Sequence, residues 1–450
     1  MADPDFNNSR EVGAPNPGWV AVTLYGTFMT DVRAIILAAG KGTRMKSETP
    51  KVLHTVAGRP VIAYVLDIVR SLKTFVVVGH GAEKVRAALG DGLTYVVQDR
   101  LLGTADALRR VAPLLKGFRG HVLVLCGDTP LLEKGTVGRL LAEHRRSRAD
   151  ATVLTAHIHD PRGYGRIVRD VRGHISAIRE QKDASPREAR ITEINVGVYC
   201  FQAQKIFDVL RRVKLNTRKK EFYVTDVIEV LLARGGRVGT VLAGDASSAF
   251  GINTRVDLAR AERVIRMRIL SKLMLEGVTI VDPATTYVET GVKIGRDTVI
   301  YPCTVIDRDV VVGKNCRVGP FAHLRPGTRV GDHVEIGNFT EVSRSRVGKN
   351  TFMKHFSFLG DAALGADVNI GAGTVTANFD GRTKNRTTIS DGAFIGSGAV
   401  LVAPVSVGKK AVVGAGSVVT KGKNIPAGAV AFGVPARIVG AGLKPARTKG

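Results

Sequence analysis

The chain has only four cysteines, Cys126, Cys200, Cys303 and Cys316, far apart and without a CxxC pair. That spacing indicates neither a disulfide framework nor a zinc site, and it fits a reducing cytoplasm. No apolar run is long enough to cross a bilayer, and residues 1–30 lack a basic segment followed by an uninterrupted apolar core. No membrane association is therefore expected, and residues 1–30, with their Pro, Gly and Asn, read as a flexible leader. Aromatic residues make up only 6% of the chain, and acidic residues fall well short of basic ones, 40 against 66. The resulting formal charge of +26 favours anionic ligands such as nucleotides, sugar phosphates or coenzyme A. The basic residues are scattered through both halves and no nucleic-acid-reading motif accompanies them, so no nucleic-acid partner is expected.

What the chain has in quantity is aliphatic residues and glycine. Its 450 residues, 44% of them hydrophobic, are too many for one ordinary core and predict two or three domains. In the first half, short apolar runs at 32–38, 74–78, 93–97, 121–125, 151–156 and 197–201 alternate with helix-like stretches such as 61–71 and 105–115. This alternation predicts a parallel α/β sheet over 31–253, whose ligands gather at the strand C-terminal ends. Residues 253–276 keep helical spacing without Gly or Pro and predict a linker helix, bounded as 254–277, of roughly 35 Å.

Beyond it, Ile294, Ile300, Ile306, Val312, Val318, Leu324, Val330, Ile336 and Val342 recur every six residues, and the period returns from Ile389 to Val419. Hexapeptide repeats of this kind build parallel β-helices, here predicted over 278–438 and followed by a basic tail at 439–450. Between Phe352 and Arg386 the period lapses. The polar and Gly-rich sequences HFSFLGD and NFDGRTKN there predict a loop leaving the regular prism, a common place for function.

The first strand runs into Leu37-Ala-Ala-Gly-Lys-Gly-Thr-Arg-Met45, which is neither a Rossmann fingerprint nor a Walker A loop. Its glycines let backbone amides approach phosphate, and Lys41 and Arg44 supply charge. Alone, such a turn reads equally as a tight strand-to-helix connection. Asp128, at the end of HVLVLCGD, is either a metal-binding carboxylate or a helix cap. His355 is either an ordinary surface histidine or a general base.

Pro50-Lys51-Val52 follows the glycine turn closely. Then come, in order, Gln98 with Leu102-Gly103-Thr104, Gly127-Asp128, Gly163-Tyr164-Gly165-Arg166, Glu180, Glu193-Ile194-Asn195, Tyr223-Val224-Thr225-Asp226 and Gly251-Ile252-Asn253. The ordered set resembles the N-acetylglucosamine-1-phosphate uridyltransferase family. Gly319-Pro-Phe-Ala-His-Leu-Arg325-Pro-Gly327, His355, Asn369-Ile-Gly-Ala372-Gly and Asn378-Phe379-Asp-Gly381 resemble the glucosamine-1-phosphate N-acetyltransferase half of the same bifunctional family.

The resemblance implies a Rossmann-like α/β nucleotidyltransferase domain with a mostly parallel sheet, followed by a left-handed parallel β-helix of hexapeptide repeats. It implies acetyl transfer from acetyl-CoA to glucosamine-1-phosphate, then uridylyl transfer from UTP to the product with release of pyrophosphate. Arg44 and Lys51 are then catalytic, and Asp128 with Asn253 holds Mg²⁺. The nucleotide falls to Leu37, Ala38, Gly40, Gly42, Gln98, Gly103 and Thr104, and the sugar to Gly165, Glu180, Asn195 and Thr225. In the second half, His355 is the acetyl-transfer base, Arg325, Asn369 and Lys384 bind the acceptor, and Ala372, Asn378, Phe379, Ser397 and Ala415 bind coenzyme A. A homotrimer with coenzyme A sites between subunits is implied as well.

The chain departs from the family at Ser343, where lysine is common, at Phe358 and Phe379, where tyrosine is usual, and at Gly433, where an arginine is expected. These departures leave two alternatives open: a single-activity nucleotidyltransferase with a structural or regulatory β-helix, and a non-enzymatic scaffold.

Overall fold

In the computed structural model the described residues are 31–217 and 220–441. The leader, and all but the first residues of the basic tail, lie outside them. By compactness the chain divides into Met1–His54 with Pro60–Leu258, and Thr55–Arg59 with Ala259–Gly450.

The first unit is built on strands β1 (Val32–Ala38), β2 (Lys73–Val78), β3 (Thr94–Val97), β4 (His121–Cys126), β5 (Ala151–His157), β6 (Arg166–Arg169), β7 (Ile175–Arg179), β8 (Glu193–Gln202) and β9 (Val238–Leu242). The main sheet runs β9-β5-β8-β4-β1-β2-β3. The central strand β1 is buried almost throughout and pairs in parallel with both β2 and β4. Such a strand needs apolar residues on both faces, which is why VRAIILA, apart from Arg33, reads as an apolar run. Helices cover it with two apolar layers, one including Ile36, Leu123 and Cys200, the other Ile35, Val124 and Phe201. One feature departs from a purely parallel sheet: β8 runs antiparallel to both β4 and β5. The β6-β7 hairpin joins β8 at Ile194↔Arg166.

Helix Arg255–Leu275 precedes the repeats. These form three sheets of 10, 8 and 7 strands, in which strands of successive coils pair in parallel, as at Val299↔Arg317 and Val305↔His323. The six-residue aliphatics point inward and are almost fully buried, each stabilising the stack by roughly 1.5–3 kcal/mol against exposure. At one corner of each coil Asp297, Asn315, His333, Asn350 and Asp367 adopt positive φ. Four of these five are Asn or Asp, which tolerate that backbone better than most side chains.

The expected departure of 352–386 from the prism is only partly correct. Phe352–Met353, Ser357–Gly360, Ala362–Leu364, Asn369–Ile370 and Val375–Ala377 are all regular strands of the coils. HFSFLGD therefore lies on the prism. The period lapses because two inward steps, Val342 to Val347 and Leu359 to Leu364, are five residues instead of six, while the inward faces stay continuous. The true extension is the segment 378–386: Ala362 pairs with Thr387, a coil of 25 residues where neighbouring coils have 17 or 18. Asp380 turns this loop by accepting from the backbone amides of Arg382 and Thr383.

Candidate active sites

At the C-terminal end of β1 the chain turns through Gly40-Lys41-Gly42 into a short helical turn, Thr43–Met45. Gly42 sits in the left-handed region at φ 61°, and a Cβ there would come within 2.8 Å of Lys51 Cβ. Glycine is thus required both by the backbone and by the packing of the following Pro50-Lys51 segment. The adjoining strand β4 ends next to Gly127-Asp128, and the Gly127 amide bonds to the Leu37 carbonyl, locking the two strand ends together. The Ile252 amide bonds to the Asp128 carbonyl, which brings in Asn253. Asp257 then accepts from the amides of Asn253 and Thr254 at 3.1 and 2.8 Å, fixing the turn before the long helix.

The four side chains so placed converge. The Lys51 ammonium donates to the Asp128 carboxylate and, at 3.2 Å, to Asn253 Oδ1. Arg44 donates to the same Asn253 oxygen at 2.8 Å. Lys51 and Asp128 are mostly shielded, with side chains 16% and 18% exposed. Two cations against one carboxylate leave the cluster with a net positive charge, set for an anion.

The residues of the second motif expected to hold the nucleotide form a framework of their own. Buried Gln98 donates to the Gly103 carbonyl at 3.0 Å and to Asp106 at 2.9 Å. Gly103 has φ 96°, and a Cβ there would meet the Phe222 carbonyl oxygen at 2.5 Å. Thr104 Oγ1 accepts from the Val224 amide at 2.9 Å, tying this loop to Thr225.

The four residues expected to hold the sugar also meet. Thr225 donates to Glu180 Oε1 at 3.3 Å, the Asn195 amide donates to the Gly165 carbonyl at 2.8 Å, and a Cβ on Gly165 would stand 3.6 Å from both Glu180 Oε1 and Asn195 Cβ. The Asn195 side chain is oriented by the Tyr199 hydroxyl at 2.6 Å and the Gly197 amide at 3.0 Å. Cys126 links the two clusters. Burial, with the nearby charges of Asp128 and Glu180, pushes its thiol up to about 12, so it is no nucleophile. Asp226, which the motif contains but to which the sequence gives no role, is raised to about 6 by burial and by Glu229 and Glu180.

In the β-helix the assigned residues fall at two corners. The Gly373 amide bonds to the Phe356 carbonyl, Gly398 to Ala372, and Gly416 to Ser397. His355, Ala372, Ser397 and Ala415 therefore stack in one column of successive coils, with exposed His355 at its start and Asn369 on the strand before Ala372. Arg325, Asn378, Phe379 and Lys384 lie at the other end of the intervening strands. Arg325 donates to Glu341 at 2.9 Å. Arg344 grips Asp361 bidentately at 2.7 and 2.8 Å and donates to Ser343 Oγ at 2.8 Å; Asn378 also donates to Asp361. Phe379 is exposed and bridges to Lys384 across the 378–386 loop. Arg344 thus brings a cation to the corner where Ser343 has none, but Asp361 already neutralises it.

Comparison with known proteins agrees with both halves. Residues 34–214 match the MobA-like NTP transferase domain, 309–344 the bacterial transferase hexapeptide of six repeats, and 386–421 the hexapeptide repeat of succinyl-transferase. The bifunctional protein GlmU of Geobacillus thermodenitrificans is 46% identical over 89% of this chain and 95% of its own length. That of Heliobacterium modesticaldum is 45% identical over 88% and 94%, and that of Pelobacter propionicus 44% over 90% and 96%. Among solved structures, a putative glucose-1-phosphate thymidylyltransferase from Bacillus anthracis aligns at 24% identity and a TM-score of 0.43, over 52% of this chain and 94% of that one, too loosely to bear on the site. Identity at this level over nearly the whole length, across both domains, means that the chain belongs to the bifunctional GlmU family.

Proposed function

We propose that the β-helix transfers acetyl from acetyl-CoA to glucosamine-1-phosphate, and that the α/β unit couples the product to UTP, releasing pyrophosphate and UDP-N-acetylglucosamine. The observation that carries this reading is the convergence of Arg44, Lys51, Asp128 and Asn253 at the ends of β1 and β4.

Asp128 and Asn253 offer a carboxylate and an amide oxygen, hard donors that suit Mg²⁺, and one ammonium touching both places them within reach of a single ion. Mg²⁺ held there supplies charge neutralisation at the phosphate oxygens. Arg44 and Lys51 neutralise the triphosphate and the incoming sugar phosphate, so that one anion can approach another in line. Their charge acts most strongly on the pentacoordinate arrangement, where negative charge spreads. Gln98, Gly103 and Thr104 hold uracil and ribose, while Glu180, Asn195 and Thr225 accept and donate to the N-acetylglucosamine hydroxyls and amide beside Gly165.

For acetyl transfer, the sugar amine must be neutral to attack. His355 takes its proton as the nitrogen bonds to the thioester carbonyl carbon, and the C–S bond breaks to release coenzyme A. Ala372, Ser397 and Ala415 form the column along which coenzyme A lies, beside Asn378 and Phe379, while Arg325, Asn369 and Lys384 hold the acceptor. The separation of these residues into two corners favours a homotrimer in which a neighbouring prism completes each site, and the four free cysteines fit a cytoplasmic enzyme. Among the described residues no helix is long and apolar enough to cross a membrane.

The test is one preparation supplied with acetyl-CoA, glucosamine-1-phosphate, UTP and Mg²⁺, following free thiol and pyrophosphate separately. Both products in sequence support the reading. Pyrophosphate from supplied N-acetylglucosamine-1-phosphate without any thiol reduces the β-helix to a scaffold.

A further inference from the structure

Two histidines of the first unit whose rings meet edge to face, His121 and His144, belong to neither site. His121 opens β4, and Cys200 lies on the antiparallel neighbour β8, where Gln202 pairs with His121. His144 comes from helix Lys134–Arg146, packed over the same face of the sheet. One ligand atom from each of His121, His144 and Cys200 lies within 4.8 Å of the others, and among the described residues this is the one such grouping of His, Cys, Asp or Glu.

The rings are held so that one nitrogen of each is engaged and the other is left over. His121 Nε2 faces the Asp31 carboxylate at 3.5 Å, and His144 Nδ1 bonds with Thr152 Oγ1 at 2.9 Å. His121 Nδ1 and His144 Nε2 are buried and hydrogen-bond to nothing. His144 is 1% exposed and Cys200 0%. A buried polar nitrogen without a partner is destabilising, and two beside one thiol call for a common explanation.

We infer that His121, His144 and Cys200 form a site for a soft d¹⁰ cation, Zn²⁺ or Cu⁺, remote from the nucleotide site. The carboxylate behind His121 and the hydroxyl behind His144 are the outer partners that orient metal-binding imidazoles. Ligand atoms around a tetrahedral zinc stand about 3.3–3.6 Å apart for bonds of roughly 2.0–2.3 Å, so small ring rotations close the set. Thiolate and imidazole in an apolar layer select soft ions over Mg²⁺. The Cys200 thiol, pushed up by burial, gives its proton to bulk buffer as the metal–sulfur bond forms, one proton for each cation bound. Asp128 follows the opposite end of β4, so the two sites are separated by the strand's length, roughly 20 Å.

The experiment uses the full-length protein, reduced and freed of metal. Co²⁺ serves as the optical probe, and Zn²⁺ and anaerobic Cu⁺ are each titrated against a chromogenic chelator. The expected result is one equivalent of Zn²⁺ or Cu⁺ bound with release of one proton, and a thiolate-to-Co²⁺ charge-transfer band that is lost in Cys200→Ala. The relative affinities of the two arms decide which cation the site takes. Asp31→Asn, a change at a half-exposed side chain that spares the fold, should weaken binding by about 10- to 100-fold. Folded unmodified protein that shows no band and retains neither cation overturns the assignment. So does a band that persists in folded Cys200→Ala, or an unchanged affinity in Asp31→Asn.

Discussion

Replacing Gly42 by alanine separates what the glycine turn does for folding from what it does for chemistry. At φ 61° and ψ 35°, an alanine costs about 1–2 kcal/mol, which lowers the Tm of the α/β unit by about 2–8 °C. The new Cβ would also stand 2.8 Å from Lys51 Cβ, where carbon atoms pack at about 3.5–4.0 Å. Lys51 must then retreat by about 1 Å from its place against Asp128 and Asn253, a displacement that costs about 100-fold in turnover. Pyrophosphate release from UTP and N-acetylglucosamine-1-phosphate measures this, and thiol release from acetyl-CoA in the same preparation is the internal control and should persist. Gly40→Ala is the companion: a Cβ there meets nothing within 4 Å, so Tm should hold and any loss should appear as a raised KM for UTP. A folded Gly42→Ala enzyme with normal pyrophosphate release, or with both activities lost equally, would refute the placement of Lys51.

Asp128→Ala should abolish pyrophosphate release and leave acetyl transfer nearly intact, and EDTA should produce the same split in the unmodified enzyme; parallel loss of both contradicts a metal confined to one domain. His355→Ala should lower thiol release by about 100-fold or more while uridylyl transfer persists, and an unchanged rate removes His355 as the base. Asp226 sits in the α/β unit with its carboxyl raised to about 6, so the folded state prefers it protonated. Its contribution to stability is present below about pH 4 and lost as pH rises toward about 6. Asp226→Asn should therefore raise Tm at neutral pH, with the gap closing by about pH 4; a gap independent of pH would show that the carboxyl does not titrate as its surroundings dictate.

The parts of the fold legible in sequence are those set by local pattern. VRAIILA reads as a buried central strand because six of its seven residues are apolar, as helices covering both faces require. The six-residue period reads as a β-helix because each coil buries the same position. Where pattern and geometry part, the reading fails for a definable reason. Two five-residue steps at Val342–Val347 and Leu359–Leu364 break the written period while leaving the inward wall unbroken, so regular coils looked like a loop. The antiparallel course of β8 is invisible because a strand buried on both faces has the same composition in either direction.

The sites divide the same way. Gly42 and Lys51 lie in contiguous motifs, and their joint role follows from one turn. Arg44 and Asn253 are 209 positions apart, and the family resemblance pairs Asn253 with Asp128; that Arg44 meets the same Asn253 oxygen at 2.8 Å is visible only in the fold. His121, His144 and Cys200 had no such help, since widely spaced ligands on two strands and a helix leave no spacing rule to read. What marks them is an energetic oddity available only in three dimensions, buried nitrogens with nothing to bond. A motif search finds sites whose ligands share a turn; a site assembled across a sheet shows itself only where buried polar atoms without a partner gather beside other ligating groups, as those of His121 and His144 do beside Cys200.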